Sequence, residues 1–257
     1  NDTTSIIENL SVSGNIIGKN FVGGIVGDLR AGNISNVYNM AKVEALTDFA
    51  GGIVGRNYGY ITYAFNVGEI IANRYSGGIV GYNYSAATFI TYSYNAGYVQ
   101  TISTTGPYGV SNNNSSSNYA YYDATLIAKY SVPNANKPAT TIDSFGAVET
   151  DSLIYGGESV LLFSPDQWVF ASKSSDYAYY PQLAYFANHS NSSIVSRIQI
   201  ATKVFIGDGL GTSQTPYRIR NKTDMVNVAI KSSEGSTFNG IYFKVDSGIS
   251  EIDLGDF

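Results

Sequence analysis

The sequence predicts an all-β parallel β-helix, in which the short strands of successive coils stack on one another. The pentapeptide GGIVG occurs at residues 23–27, 51–55 and 77–81, with offsets of 28 and 26 residues. A repeat of that length is typical of solenoids and repeat arrays. The segments between the copies are short, β-branched or aromatic and partly alternating, and none has the apolar stripe of a helix. The 27 glycines also suit a turn-rich β-structure.

Each repeat unit of about 27 residues is long enough for one coil with three short strands separated by glycine or asparagine turns. Equivalent residues of successive units should then stack, and the double glycine should allow a corner where a side chain would clash. Two apolar columns are predicted, one from Ile25, Ile53 and Ile79 and one from Ile16, Val43, Ile70 and Val99. Four related units occupy residues 10–120, with a degenerate GGIVG copy at residues 106–110.

Polar and charged positions support the same register. An asparagine follows an aromatic residue at one position of three consecutive units, at Asn39, Asn66 and Asn95. Stacking predicts that these side-chain amides hydrogen-bond along the coils as an asparagine ladder. The register also sets Asp28 opposite Arg56, Lys42 opposite Glu69 and Tyr63 against Tyr92.

The repeats fill residues 1–120, and the remainder of the chain divides into three parts. Residues 121–187 are less regular and predict a closing or capping region, because an open β-helix end exposes unpaired strand edges. Residues 188–193 are rich in Asn and Ser and predict a linker. Residues 194–257 predict the opening segment of a following β-rich block, with a glycine-rich turn at 207–212 and a short helix at 224–230.

The GGIVG motif and the residues that follow it, RNYGYI at 56–61 and YN at 82–83, resemble the GLUG-motif repeat family of bacterial and archaeal surface proteins. The stretch from Tyr121 through Trp168 to Leu183 looks like the region that closes such repeat blocks, and residues 207–254 resemble the opening of one. This resemblance implies a right-handed β-helix in a large secreted or surface-anchored, adhesin-like protein. It is specific for architecture and not for activity. The copy at residues 106–110 departs from the motif because it has lost the hydrophobic pair.

Composition argues against several classes of function. The chain carries 15 Lys and Arg against 20 Asp and Glu, and the net charge of −5 disfavours a nucleic-acid partner. No apolar run is long enough to insert into a membrane. With no cysteine and a single histidine, His189, the sequence lacks the usual zinc and catalytic-triad sets. The carboxylates of the coils do not cluster at one repeat position, as a glycosidase site would require. We therefore expect no enzymatic activity, no cofactor and no metal site, with a polysaccharide-active enzyme as the least favoured alternative.

Two features remain as candidates for binding. Four acidic residues near the end of the sequence offer oxygen ligands for calcium but lack the spacing of known calcium loops: Asp246, Glu251, Asp253 and Asp256. The coils hold more tyrosines than a narrow interior accommodates, so several rings should be exposed to sugars or protein partners. Tyr63, Tyr82 and Tyr92 are the candidate ligand-binding residues. The competing interpretation is stacking between coils without a ligand.

Together these observations predict a structural or adhesive repeat segment of a large extracellular surface protein or filament, which provides a stiff stalk and an interaction surface. The alternative is a carbohydrate- or protein-binding module that uses exposed tyrosines. Strand-like apolar residues lie at 6–7 and 249–254. We therefore expect end-to-end continuity with neighbouring repeats of the same protein or with identical subunits. A glycan or a host surface protein is the other expected partner.

Overall fold

The protein is a parallel β-solenoid of about four coils. The computed structural model describes residues 5–84, 88–102, 106–112, 118–124, 146–171, 180–187, 216–219 and 242–245, together with residues 225 and 228. The structure thus confirms the all-β parallel β-helix that the repeat predicts.

Each complete coil contains four strands and not the three that the sequence suggests. The first coil has β1 (Ile6–Val12), β2 (Asn15–Gly18), β3 (Phe21–Gly23) and β4 (Val26–Leu29). The second has β5 (Asn33–Asn39), β6 (Lys42–Ala45), β7 (Phe49–Gly51) and β8 (Val54–Asn57). The third has β9 (Tyr60–Asn66), β10 (Ile70–Ala72), β11 (Tyr75–Gly77) and β12 (Val80–Asn83), and the fourth begins with β13 (Phe89–Asn95) and β14 (Val99–Thr101). The extra strand arises because GGIVG bends the chain between two short strands, which the sequence pattern alone does not separate.

Equivalent strands stack in four parallel sheets. Sheet A has the order β1, β5, β9, β13, followed by β15 (Asn118–Asp123) and β16 (Ala147–Val148). Sheet B stacks β2, β6, β10 and β14, sheet C stacks β3, β7 and β11, and sheet D stacks β4, β8 and β12. The second predicted apolar column is confirmed, because Ile16, Val43, Ile70 and Val99 are register partners in sheet B.

Among the described residues, two apolar cores run along the interior of the solenoid. One lies between sheets A and D and includes the fully buried Ile53 and Ile79, with Ile25 half-buried beside them in the first coil. The other lies between sheets B and C and contains Val43, Ile70 and Val99. The isoleucine column of GGIVG therefore points inward, as predicted, and continues into the fourth coil through Val110.

The register of the fourth coil differs from the one the sequence suggests. Tyr108 pairs with Gly77, and Ser111 pairs with Val80. The stretch YGVS at residues 108–111 therefore occupies the place of GGIV, and the degenerate motif begins two residues later than the sequence comparison placed it. In this register the fourth copy keeps the second glycine, as Gly109, and one hydrophobic residue, as Val110. Of the hydrophobic pair only the second residue is lost, to Ser111, and Tyr108 stands in the place of the first glycine.

The closing region contains α1 (Thr150–Tyr155), α2 (Gly157–Leu161), β17 (Trp168–Val169), β18 (Gln182–Leu183) and α3 (Ala184–Ala187). Before α1, β16 adds a parallel strand beside β15, whose last residues belong to the closing region. Much of the rest packs along the side of the solenoid, on the outer face of sheet A. There the Trp168 ring lies 5.6 Å from Tyr94, and the Phe186 ring lies 4.8 Å from Tyr38. This lateral packing buries a row of aromatic residues that would otherwise face solvent.

Three tyrosine hydroxyls fasten the part of the closing region that follows β15 to strands β13 and β15 of sheet A. Tyr94 donates to the carbonyl oxygen of Pro181 at 2.6 Å. Tyr121 donates to the carbonyl oxygen of Leu161 at 2.9 Å, and Tyr180 donates to the buried carboxylate of Asp123 at 2.8 Å. The residues that mark the closing segment in the sequence are thereby brought into one contact network.

Part of the predicted opening block is described. β19 (Tyr217–Ile219) pairs in parallel with β20 (Phe243–Val245), and Met225 and Val228 of the predicted helix are helical. Burial, and secondarily the negative charge of Glu69, raise the pKa of Tyr217 to about 12. The predicted linker at 188–193, the glycine-rich turn at 207–212, His189 and the four candidate calcium ligands lie outside the described residues.

Candidate functional site

The three predicted ladder asparagines lie at the bend between sheets A and B and are fully buried. The Asn39 amide donates to the side-chain oxygen of Asn66 at 2.8 Å, and Asn66 donates to Asn95 at the same distance. Each side chain also bonds the backbone two residues onward. Asn66, for example, donates to the Gly68 carbonyl at 2.9 Å and accepts from the Gly68 N–H at 3.1 Å. The structure therefore brings these residues together in a ladder that satisfies the buried amides.

The second glycine of GGIVG leaves space for this ladder. A Cβ on Gly24 would lie 2.6 Å from the Asn39 side chain, and a Cβ on Gly52 would lie 2.6 Å from the Asn66 side chain. In the next coil a Cβ on Gly78 would collide with Asn95. In each of these three coils the second glycine of the motif therefore packs directly against the ladder asparagine.

A second buried ladder escaped the sequence analysis. Asn57 donates to the side-chain oxygen of Asn83 at 2.9 Å, and the Thr88 hydroxyl donates to the same oxygen at 2.7 Å. Asn57 also accepts a hydrogen bond from the Gly59 N–H at 2.9 Å. The available signal was the asparagine two residues after GGIVG in two consecutive units, GGIVGRN and GGIVGYN.

Tyr63 and Tyr92 are neighbours in an aromatic column on sheet A. Their ring centroids are 5.5 Å apart, and Tyr119 continues the column at 4.9 Å from Tyr92. Tyr63 on one side and Tyr119 on the other cover the two faces of the Tyr92 ring. A sugar therefore cannot stack face-on against Tyr92, and the ring edge and phenol hydroxyl are the parts left for a ligand.

The backbone of this column is unusual. Tyr63, Tyr92 and Tyr119 have φ values of 52°, 48° and 56°, and the corresponding residues of the first two coils, Asn9 and Asn36, have 58° and 51°. Asparagine tolerates the left-handed conformation, whereas for tyrosine it carries a strain cost of order 1–3 kcal/mol. Stacking of equivalent residues in consecutive coils holds the tyrosines in this conformation.

Tyr82 does not join this column. It lies on sheet D among six rings that we call, with three arginines, the arginine–aromatic face: Phe21, Phe49, Tyr58, Tyr75, Tyr82 and Tyr84, with Arg30, Arg56 and Arg74. Tyr82 stacks on Phe49 at 4.8 Å, and its ring is 6.0 Å from that of Tyr84, which is 58% exposed. The predicted set of three tyrosines therefore occupies two separate surfaces.

The electrostatics of the arginine–aromatic face centre on Asp28. Arg56 bonds this carboxylate through two nitrogens, at 2.9 and 2.6 Å, and Arg30 bonds it through Nε at 2.9 Å. The hydrogen bond from Arg56, followed by that from Arg30, lowers the pKa of Asp28. The Arg56 guanidinium also lies 4.0 Å above the Phe21 ring and 5.6 Å from the Tyr58 ring. Arg56 is thus held in place by a carboxylate and two aromatic faces.

The other predicted charge pair lies on sheet B. Lys42 is 3.5 Å from Glu69 in the next coil and 3.7 Å from Glu44 in its own strand. Both predicted ion pairs across coils are confirmed, although exposed pairs such as this one contribute under about 1 kcal/mol each. Within the part of the chain that the structure describes, no group of three or more His, Cys, Asp or Glu side chains is placed to hold a metal. No helix among those residues is long and apolar enough to cross a membrane.

Comparisons with known proteins indicate the fold. No family model matches the chain, and no curated protein matches it. A similar solved structure is a Bacteroides ovatus protein described as a "putative immunoglobulin A1 protease", with a TM-score of 0.51 and 21% sequence identity. The match covers 71% of this chain and 58% of that chain. At this identity the likeness concerns the solenoid architecture alone.

Proposed function

We propose that the chain is a structural and adhesive repeat segment of a large extracellular surface protein, related to the GLUG-motif repeat family. One observation carries the proposal: the buried amides and many aromatic rings are used in contacts between successive coils. The asparagine ladders and the Tyr63–Tyr92–Tyr119 column all run along the solenoid and stiffen it in that direction. This organisation suits a stalk that bears an interaction surface.

Localisation on intact cells tests the extracellular part of this proposal. Antibodies raised against residues 5–84 should label unpermeabilised cells of the source organism, and a brief treatment of those cells with protease should remove the label. Immunogold microscopy should place the label on extended surface structures. Labelling that appears only after permeabilisation would contradict the proposal.

Ligand binding by exposed tyrosines is the second candidate function. The left-handed backbone at Tyr63 and Tyr92 favours it, because strained conformations concentrate at functional sites. A glycan array compares the unmodified chain with Y63A, Y92A and Y92F, and Y185A, outside the coils, is the matched control. Since Y92F keeps the ring stack and removes only the hydroxyl, loss of a glycan signal in Y92F would support recognition through the phenol hydroxyl. The absence of any hit, or hits that all four variants retain, would exclude this function.

We also propose that the segment is not an enzyme. The name of the Bacteroides ovatus neighbour supplies the direct test, which is incubation of the purified chain with immunoglobulin A1. A second assay measures reducing-end release from a panel of polysaccharides. We expect neither substrate to be cleaved. Cleavage that rises in proportion to the concentration of the chain and survives repurification would overturn this part of the proposal.

A further inference from the structure

The arginine–aromatic face concentrates positive charge on an otherwise acidic protein. All three arginines of residues 1–124 lie there, whereas the whole chain has a net charge of −5. Arg30 and Arg56 share the single carboxylate of Asp28, so this group of three side chains carries a net positive charge. A local field of this kind attracts an anionic ligand even though the protein as a whole repels one.

The two guanidinium groups also retain hydrogen-bonding capacity. Arg56 uses Nε and Nη2 on Asp28, and Arg30 uses Nε. The remaining N–H groups of these two arginines have no acceptor among the described residues. The Arg30 side chain is 70% exposed, and Arg56 is held by Asp28 and the Phe21 ring. Guanidinium N–H groups in a fixed fork match the oxygens of carboxylate and sulfate-type anions.

The rings next to these arginines form a row along the solenoid. Phe21, Phe49 and Tyr75 are register partners in three consecutive coils, with Phe49 buried between the partly exposed Phe21 and Tyr75, and Arg74 lies 5.4 Å from the Tyr75 ring. The row continues sideways through Tyr82 to the exposed Tyr84. Partly exposed rings of different coils, with arginines beside them, are suited to a linear polymer with repeating rings and repeating charges.

We propose that the arginine–aromatic face binds an acidic polysaccharide. Arg30 and Arg56 donate hydrogen bonds to the carboxylate or sulfate groups of the polymer, and Tyr84 packs against the apolar face of a sugar ring. An acidic peptide would satisfy the charge but would not offer a repeating ring to the aromatic row. The proposal uses a surface separate from the Tyr63 column and is independent of the stalk function.

Binding measurements with defined polymers test it. The probes are polygalacturonate for carboxylates, dextran sulfate for sulfates, neutral dextran as the uncharged control and poly-L-glutamate as the peptide competitor. Polygalacturonate or dextran sulfate should bind the unmodified chain, and neutral dextran should not. R30Q should weaken binding about tenfold, since a charge-assisted hydrogen bond contributes about 1.5–3 kcal/mol. Y84A should weaken it as well.

Matched variants on other surfaces control for general charge and ring effects. K42Q removes the same charge from sheet B, and Y60A removes an exposed ring from sheet A. Both should leave the affinity within about twofold, and thermal melts should show that all four variants are folded. Equal losses of affinity in R30Q and K42Q would show that the polymer is attracted by charge in general and would overturn the proposal. Failure of both acidic polymers to bind, an unchanged affinity in Y84A, or equally tight binding of poly-L-glutamate would also overturn it.

Discussion

Replacement of Asn66 by aspartate is the sharpest test of the internal ladder. In the native protein the Asn66 amide nitrogen donates to Asn95 at 2.8 Å and to the Gly68 carbonyl at 2.9 Å. An ionised carboxylate has no donor, so N66D turns both contacts into oxygen–oxygen repulsions inside a fully buried site. Each unsatisfied buried group costs about 1–3 kcal/mol, so we expect a loss of about 4 kcal/mol in the free energy of unfolding. For a chain of this size that loss lowers Tm by about 8–16 °C.

The pH dependence of this loss identifies its cause. The buried position and the two facing oxygens favour the protonated acid, so the pKa of the new carboxyl is raised in the folded state. A raised pKa means that the penalty is smallest below the unfolded-state pKa, near 4, and grows as the pH rises through the folded-state value. The Tm difference between N66D and the unmodified chain should therefore be smaller at about pH 3.5 than at pH 8.

The matched control is N73D, which makes the same exchange at an exposed asparagine of the same coil. It should shift Tm by no more than about 2 °C, the range of a surface substitution. If N66D and N73D have the same effect, or if the N66D penalty does not change between the two pH values, the amides of the ladder do not stabilise the fold.

Three further outcomes follow from the packing. G52A should destabilise the chain by at least about 2 kcal/mol in denaturant unfolding, because its Cβ would collide with the backbone of the next coil. I53A should cost about 2–5 kcal/mol by the same measurement, and I25A should cost less because that side chain is half-buried. Burial raises the pKa of Tyr38 and Tyr121 above that of an unfolded tyrosine, which is about 10. Stability should therefore be constant just below pH 10 and fall as the pH rises above it. Thermal melts measure this stability, and phenolate absorbance measures the ionisation of the tyrosines. A flat profile up to pH 12 would contradict the burial.

The axial contacts could be predicted from the sequence because coil stacking converts a sequence period into spatial proximity. Once GGIVG set the offset, Asn39 and Asn66, or Asp28 and Arg56, became neighbours without further information. The same reasoning overlooked Asn57 and Asn83 because only two units carry this asparagine, and the first unit has Leu29 in its place.

Features that do not repeat could not be predicted in this way. The contact between Tyr94 and Pro181 joins residues 87 positions apart in the sequence, and no period links them. The left-handed conformation at Tyr63 opposes the intrinsic preference of tyrosine, so only the packed structure reveals it. The arginine–aromatic face combines residues from neighbouring strands of different coils, such as Phe49 and Tyr82, whose separation in sequence is not the repeat length.

The in-register stacking of equivalent residues underlies both the solenoid and its surfaces, and a disulfide test measures it directly. The chain has no cysteine, so an intramolecular disulfide can form only between the two cysteines that are introduced. Thr62 and Thr91 are register partners in sheet A with hydroxyls 3.0 Å apart, whereas Gln100 lies on sheet B. Under mild oxidation T62C/T91C should form an intramolecular disulfide, identified as a linked peptide by mass spectrometry, and T62C/Q100C should keep free thiols. Free thiols in T62C/T91C together with a bond in T62C/Q100C would contradict the stacked register.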